Sequence, residues 1–161
     1  SSRAITLAKA MNPAGKYKTL DILSQTSEKE YDIAILMEVF EHIPPAESKD
    51  FVSAITKLLK KGCVLYVTVP HINKPVEYKH YRHFSSKSLI ESFAPFFKPA
   101  EIVPFERGKN RKKLIDFLLG NRFLILNSRR LRTTLYRFYK RNLFLAKEED
   151  CNRLLIKFTR E

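Results

Sequence analysis

Two kinds of apolar pattern share this chain. Some stretches repeat hydrophobic residues every three or four positions, the spacing of one helix face. Others run apolar without a break, the mark of a strand buried on both faces of a parallel sheet. Ala4, Ile5, Ala8 and Met11 share a helical face behind the candidate N-caps Ser1 and Ser2. Asn12-Pro13-Ala14-Gly15 ends that helix. Tyr17–Leu20 reads as a short strand closed by Asp21, and Ile33–Met37 as a strand buried on both faces. After the break at Pro44-Pro45, Phe51, Val52, Ile55, Leu58 and Leu59 fall on one helical face, with Gly62 at the position just past the helix end. Val64–Val69 is a second buried strand, stopped by Pro70. A polar loop, His71–Phe84, precedes a helix capped by Ser85 with Leu89, Ile90, Phe93 and Phe97 inside. Ile102–Phe105 is a strand near a sheet edge, because Pro104 lacks a donor, and Leu154–Phe158 is the last strand. Strands alternating with helices predict an α/β layer fold.

Composition bounds this picture. The chain has 161 residues and is 44% hydrophobic, enough for one domain with a real core. Two cysteines, Cys63 and Cys151, cannot build a disulfide framework or a zinc finger. No uncharged apolar run reaches the ~18 residues of a membrane span, and no charged-then-apolar leader is visible, so a reducing, cytoplasmic setting is expected. The net charge of +13 is unevenly placed. Arg107–Lys147 holds 13 Lys/Arg against the single acid Asp116, a net +12, and the remainder is nearly neutral. The basic block and the rest of the chain need separate explanations.

The segment Tyr31-Asp32-Ile33-Ala34-Ile35-Leu36-Met37-Glu38-Val39-Phe40-Glu41-His42-Ile43-Pro44 resembles the fourth-strand motif of class I S-adenosylmethionine-dependent methyltransferases of the type 11/23 kind. Leu58-Leu59-Lys60-Lys61-Gly62-Cys63 through Pro70 is similar to the turn and fifth strand that follow, with Cys63 in place of a second Gly. His80-Tyr81-Arg82-His83-Phe84-Ser85 resembles the next loop and helix. The resemblance implies a Rossmann-like sheet of order 3-2-1-4-5-7-6 over residues 1–106 and 148–161, with 107–147 a basic helical insertion before the last strand. It also implies S-adenosylmethionine as cofactor. The family's Gly-rich loop has no counterpart here: Gly15, Gly62, Gly108 and Gly120 stand far apart. The sheet is therefore expected to be truncated at its N-terminal side. Ile33–Met37 becomes an apolar edge, to be covered by an upstream segment or by another chain such as a homodimer partner.

The resemblance assigns cofactor contacts to Asp21 and Ile22, which match the adenine-binding positions, and to Leu36 and Met37, whose backbone would face the methionine part. His71, His80 and His83 cluster in the loop at the end of the sheet where α/β folds bind ligands, and His80 and His83 are the candidate catalytic residues. Imidazoles titrate near neutral pH and can take a hydroxyl proton. Tyr78, Tyr81 and Arg82 are candidates to line the same pocket. Glu38, Glu41 and His42 fall on one side if helical, and with His80 or His83 they could hold Mg²⁺ or Mn²⁺. Small-RNA 2′-O-methyltransferases of this class use a similar set. Metal-free relatives use the same Glu-His pair as a cap and hydrogen-bond network, and no metal ligand is assigned. Cys63 is expected to be inert.

In the basic block, Lys109–Lys113 leads into Leu114–Leu119, Phe123–Leu126 follow, and a second helix is predicted from Ser128 to about Arg141. Leu131, Leu135 and Phe138 line one face among six Arg/Lys. Three readings stay open: an anionic membrane surface, RNA phosphates, or packing on the domain or on a second subunit. RNA is the weakest, because no recognisable binding module accompanies the charge. The expectation is O-methylation of a small-molecule, glycan or lipid-linked acceptor, in the cytoplasm or at a membrane. The alternatives are a non-catalytic interaction module and an RNA 2′-O-methyltransferase using a Glu/Glu/His metal site.

Overall fold

The continuous apolar runs become a four-stranded sheet. The computed structural model describes residues 2–24, 31–108, 117 and 128–160. Its strands are β1 (Tyr31–Met37), β2 (Leu59–Pro70), β3 (Lys98–Arg107) and β4 (Cys151–Thr159), in the order β1-β2-β4-β3. β1 and β2 pair in parallel, and β4 runs antiparallel to both β2 and β3. Three strands thus point one way with a reversed β4 between the second and third. This is the 4-5-7-6 part of the order that the resemblance implies, and Pro104 sits on an edge strand as expected.

The helices are α1 (Ser2–Met11), α2 (Ser48–Leu58), α3 (Ser86–Phe93) and α4 (Arg129–Asn142). α2 buries Phe51, Val52, Ala54 and Ile55, and α3 buries Leu89 and Phe93. They cover the sheet face formed by Leu65, Val67 and Val69 of β2 and Leu154, Ile156 and Phe158 of β4. Phe93 stacks on Phe158 with ring centroids 4.9 Å apart, and Phe40 lies 4.9 Å from Phe93 and 5.3 Å from Phe84. Each such side chain contributes about 1.5–3 kcal/mol by leaving water. Ser85 caps α3 as its sequence predicts, in a capping box with Ser88. Ser128 caps α4, so that helix also forms where its pattern placed it.

Three expectations need correction. Tyr17–Leu20 forms no strand. A strand persists only where its backbone groups find a neighbour, and none of the described strands lies beside it. Gly62 is not past a helix end: α2 stops at Leu58, and Gly62 lies inside β2 with φ +73°, where pairing with β1 is irregular. Its N–H donates to the Arg160 carbonyl at 2.8 Å, so the extra residues loop out while the strand continues. Finally, β1 is not buried on both faces. Ala34 and Leu36 are half-buried on the helix side, whereas Tyr31, Ile33, Ile35 and Met37 are exposed, Ile35 by 66%. Among the described residues β1 is thus an apolar strand at the edge of the sheet, as expected. The segments Lys109–Lys113, Leu114–Leu119 and Phe123–Leu126 lie outside the described residues, Phe117 excepted.

Candidate functional site

β1, β2 and β3 end at one edge of the sheet, and the chemistry-bearing side chains collect there. The chain leaves β1 through Glu38, held at φ +50°, whose N–H donates to the Thr68 carbonyl at 3.0 Å. Phe40, fully buried, anchors the 3₁₀ turn Phe40–His42 in the core and so fixes its neighbour Glu41. Glu41 is 1% exposed, and neither carboxylate oxygen has a hydrogen-bond partner among the described residues. Burial raises its pKa above the ordinary carboxylate value. The nearby Glu38 adds to the rise, while its own backbone N–H, His42 and His83 pull partway back.

The loop after β2 brings two imidazoles to this turn. The Tyr81 N–H donates to the Glu41 carbonyl at 2.9 Å, tying loop to turn. His83 is buried, with Nδ1 3.0 Å from the Lys74 carbonyl and Nε2 2.8 Å from His80 Nδ1. A carbonyl can only accept, so His83 carries its proton on Nδ1 and, when neutral, receives one from His80 Nδ1. That leaves His80 Nε2 with a free lone pair. His42 Nδ1 likewise faces the Lys79 carbonyl at 2.9 Å, so its Nε2 is free and lies 3.9 Å from Glu41 Oε1. The His42 and His80 rings meet edge to face at 4.7 Å. One donor atom each from Glu41, His42 and His80 lie within 4.8 Å of one another, a set that could hold a divalent ion.

His80 shares an open pocket of about 440 Å³ with Tyr78, Lys79 and Tyr81. Arg82 does not join it. Its Nη2 donates to Ser48 Oγ at 2.6 Å, and its guanidinium lies over the Phe84 ring at 4.9 Å, where burial lowers its pKa. His71 also departs from the histidine cluster: Asn73 N–H donates to its Nδ1, so Nε2–H faces Glu148 Oε1 at 3.4 Å. Of the candidate cofactor residues, Ile22 and Leu36 line one apolar cleft of about 210 Å³ with Ile35, Phe51 and Ile55. Asp21 accepts a turn bond from Leu23 N–H at 3.1 Å. Met37 stands exposed at the end of β1 on the other face. Both cysteines are buried, and burial raises the pKa of both thiols, Cys151 to about 11, which disfavours the reactive thiolate.

Two groups at this edge escaped the sequence reading. Arg153 of β4 places Nε 2.7 Å from Glu106 and Nη1 3.4 Å from Glu38, and so braces two non-glycine residues of positive φ. Glu148 accepts from Ser86 N–H and Ser86 Oγ, each at 2.7 Å, and so fastens the turn before β4 to the start of α3. Neither pairing has a local motif; each joins residues far apart in sequence.

No protein-family model and no curated protein matches the chain. Solved structures do. The N-methyltransferase NodS from Bradyrhizobium japonicum WM9, in complex with S-adenosyl-L-homocysteine, aligns with 99% of this chain at a TM-score of 0.61 and 15% identity. The 1,6-didemethyltoxoflavin-N1-methyltransferase of Burkholderia thailandensis aligns with 98% at 0.58 and 14%. A S-adenosylmethionine-dependent methyltransferase from Methanosarcina mazei aligns with 99% at 0.61 and 14%. This chain spans 63%, 56% and 78% of those three. At such identity the likeness speaks for fold and leaves chemistry to the site. Sheet order, the reversed β4 and these likenesses together show that the chain has the fold of class I S-adenosylmethionine-dependent methyltransferases.

Proposed function

We propose that the protein is a S-adenosylmethionine-dependent methyltransferase acting on a hydroxyl of a small-molecule, glycan or lipid-linked acceptor. The observation that carries this reading is the free Nε2 of His80, oriented through His83 to a backbone carbonyl beside an open pocket at the ligand-binding edge of the sheet. In the reaction the acceptor oxygen bonds to the methyl carbon as the carbon–sulfur bond breaks. S-adenosylhomocysteine leaves, and the hydroxyl proton passes to His80 Nε2. His83 is a positioning residue that keeps His80 in the accepting tautomer. Asp21, Ile22, Leu36 and Met37 are the cofactor-side residues in this reading, supported by the cleft that Ile22 and Leu36 share.

A second form of the same step has its own observation. The Glu41 carboxylate is buried with no hydrogen-bond partner among the described residues, and ring nitrogens of His42 and His80 lie nearby. A divalent ion there would supply Lewis acidity to the acceptor hydroxyl. Mn²⁺ raising the melting temperature of the protein, but not of Glu41→Gln, supports that form; equal responses exclude it. The methyltransferase reading itself is tested by calorimetric titration of S-adenosylhomocysteine into the protein made from its whole gene, and into the 161-residue chain. Binding by the former is expected. No binding would overturn the enzyme reading and leave a non-catalytic module on the same sheet.

A further inference from the structure

We propose that α4 is a docking helix for an anionic membrane surface, and that it holds the His80 edge of the sheet toward lipid-linked acceptors. Its second half rests on the proposed function; the docking does not. α4 carries Arg129, Arg130, Arg132, Arg137, Lys140 and Arg141 and no acid, and it buries none of its residues. At 100° per residue, Leu131, Leu135 and Phe138 project to one side and the six cations to the rest of the circumference. Among the described residues that apolar side is only partly covered: Leu131 is 45% and Phe138 38% exposed, and Leu135 between them is half-buried. A helix with six positive charges and an apolar stripe exposed at Leu131 and Phe138 fits the boundary of a bilayer, where the stripe enters the acyl region and the cations meet lipid phosphates and carboxylates. RNA would satisfy the charges and leave the stripe in water. A protein partner would need a matching acidic groove.

The placement gives the helix its direction. α4 is inserted between the end of β3 and the start of β4, at the same sheet edge as Glu41, His80 and His83. Its C-terminal end is tied to that edge. Phe144 packs on Phe105 and Tyr139, the Glu106 and Arg107 N–H groups donate to the Phe144 and Leu143 carbonyls, and Glu148 grips Ser86 and His71. α4 therefore departs from the same edge of the sheet that carries the pocket beside His80.

The test is flotation of the 161-residue chain with vesicles of phosphatidylcholine alone and with 30 mol% phosphatidylserine, in graded salt. Binding to the anionic vesicles and weakening with salt are expected. Arg130→Gln with Arg137→Gln should weaken it about 25-fold, at about 5-fold per charge. Leu131→Asp with Phe138→Asp should weaken it at least tenfold with all six cations kept. These positions are exposed, and unchanged melting temperatures will show that the variants fold. Failure to float, or flotation indifferent to the Leu131/Phe138 pair, overturns the proposal. So does an RNA shift assay in which RNA binds tightly and that pair has no effect. S-adenosylhomocysteine binding is measured separately, so a failed flotation leaves the methyltransferase reading standing.

Discussion

Replacing Glu148 by Ala should cost about 2–3 kcal/mol, although the residue looks like one acid in a surface run. Its carboxylate accepts from the Ser86 N–H and hydroxyl at 2.7 Å each and faces His71 Nε2 at 3.4 Å. Hydrogen bonds to a charged group contribute about 1.5–3 kcal/mol each, and a buried donor left unpaired costs about 1–3 kcal/mol. The carboxylate is 38% exposed, so water screens it and re-solvates Ser86, which brings the sum down to the stated range. Burial alone would raise the Glu148 pKa, but the bonds from Ser86 and His71 outweigh it and hold the group below the ordinary carboxylate value. A carboxyl lowered on folding stabilises at pH above its unfolded value, about 4.3, and loses that contribution as pH falls through the folded value. The gap between wild type and Glu148→Ala is therefore full at pH 7 and shrinks below about pH 4. Urea unfolding followed by circular dichroism at both pH values measures it. For a chain of this size a melting-temperature drop of about 5–10 °C at pH 7 is expected. A loss under 0.5 kcal/mol, or an equal loss at pH 3.5 and 7, refutes the reasoning. So does the absence of coupling to Ser86→Ala in a double-mutant cycle.

Gly62→Ala should destabilise by about 1–2 kcal/mol, read in the same unfolding assay, because an added Cβ meets no atom within 4 Å and the whole cost is the left-handed backbone. His80→Gln should lower methyl transfer by about 10²–10⁴-fold while leaving S-adenosylhomocysteine binding intact, as single-turnover kinetics and calorimetry will show. The 161-residue chain should self-associate as its concentration rises, and Ile35→Lys should hold it monomeric in analytical ultracentrifugation, since Ile33, Ile35 and Met37 present an exposed apolar row on an edge strand.

The elements with a local signal are legible in the chain alone. The 3.6-residue spacing of Phe51, Val52 and Ile55 placed α2, the apolar run from Val64 placed β2, and Ser85 and Ser128 placed the starts of α3 and α4. The unbroken run at Ile33–Met37, with no Gly-rich partner strand in the chain, was enough to foresee an uncovered edge. Charge counting alone located +12 of the net +13 between Arg107 and Lys147. Tertiary structure decided what depends on neighbours. Tyr17–Leu20 has strand-like residues but no strand to pair with, and Gly62 is drawn into β2 because that strand bonds on both sides. At the site, the residue types of Glu41, His42, His80 and His83 were legible. Their roles were not, because protonation at a ring nitrogen follows from which carbonyl lies opposite, here Lys74 and Lys79. Arg82 and His71 share the same loop yet turn to Ser48 and Glu148, and Arg153 reaches Glu38 from a strand more than a hundred residues away. Periodicity encodes which face of an element is apolar; only packing decides which polar group each buried donor and acceptor meets.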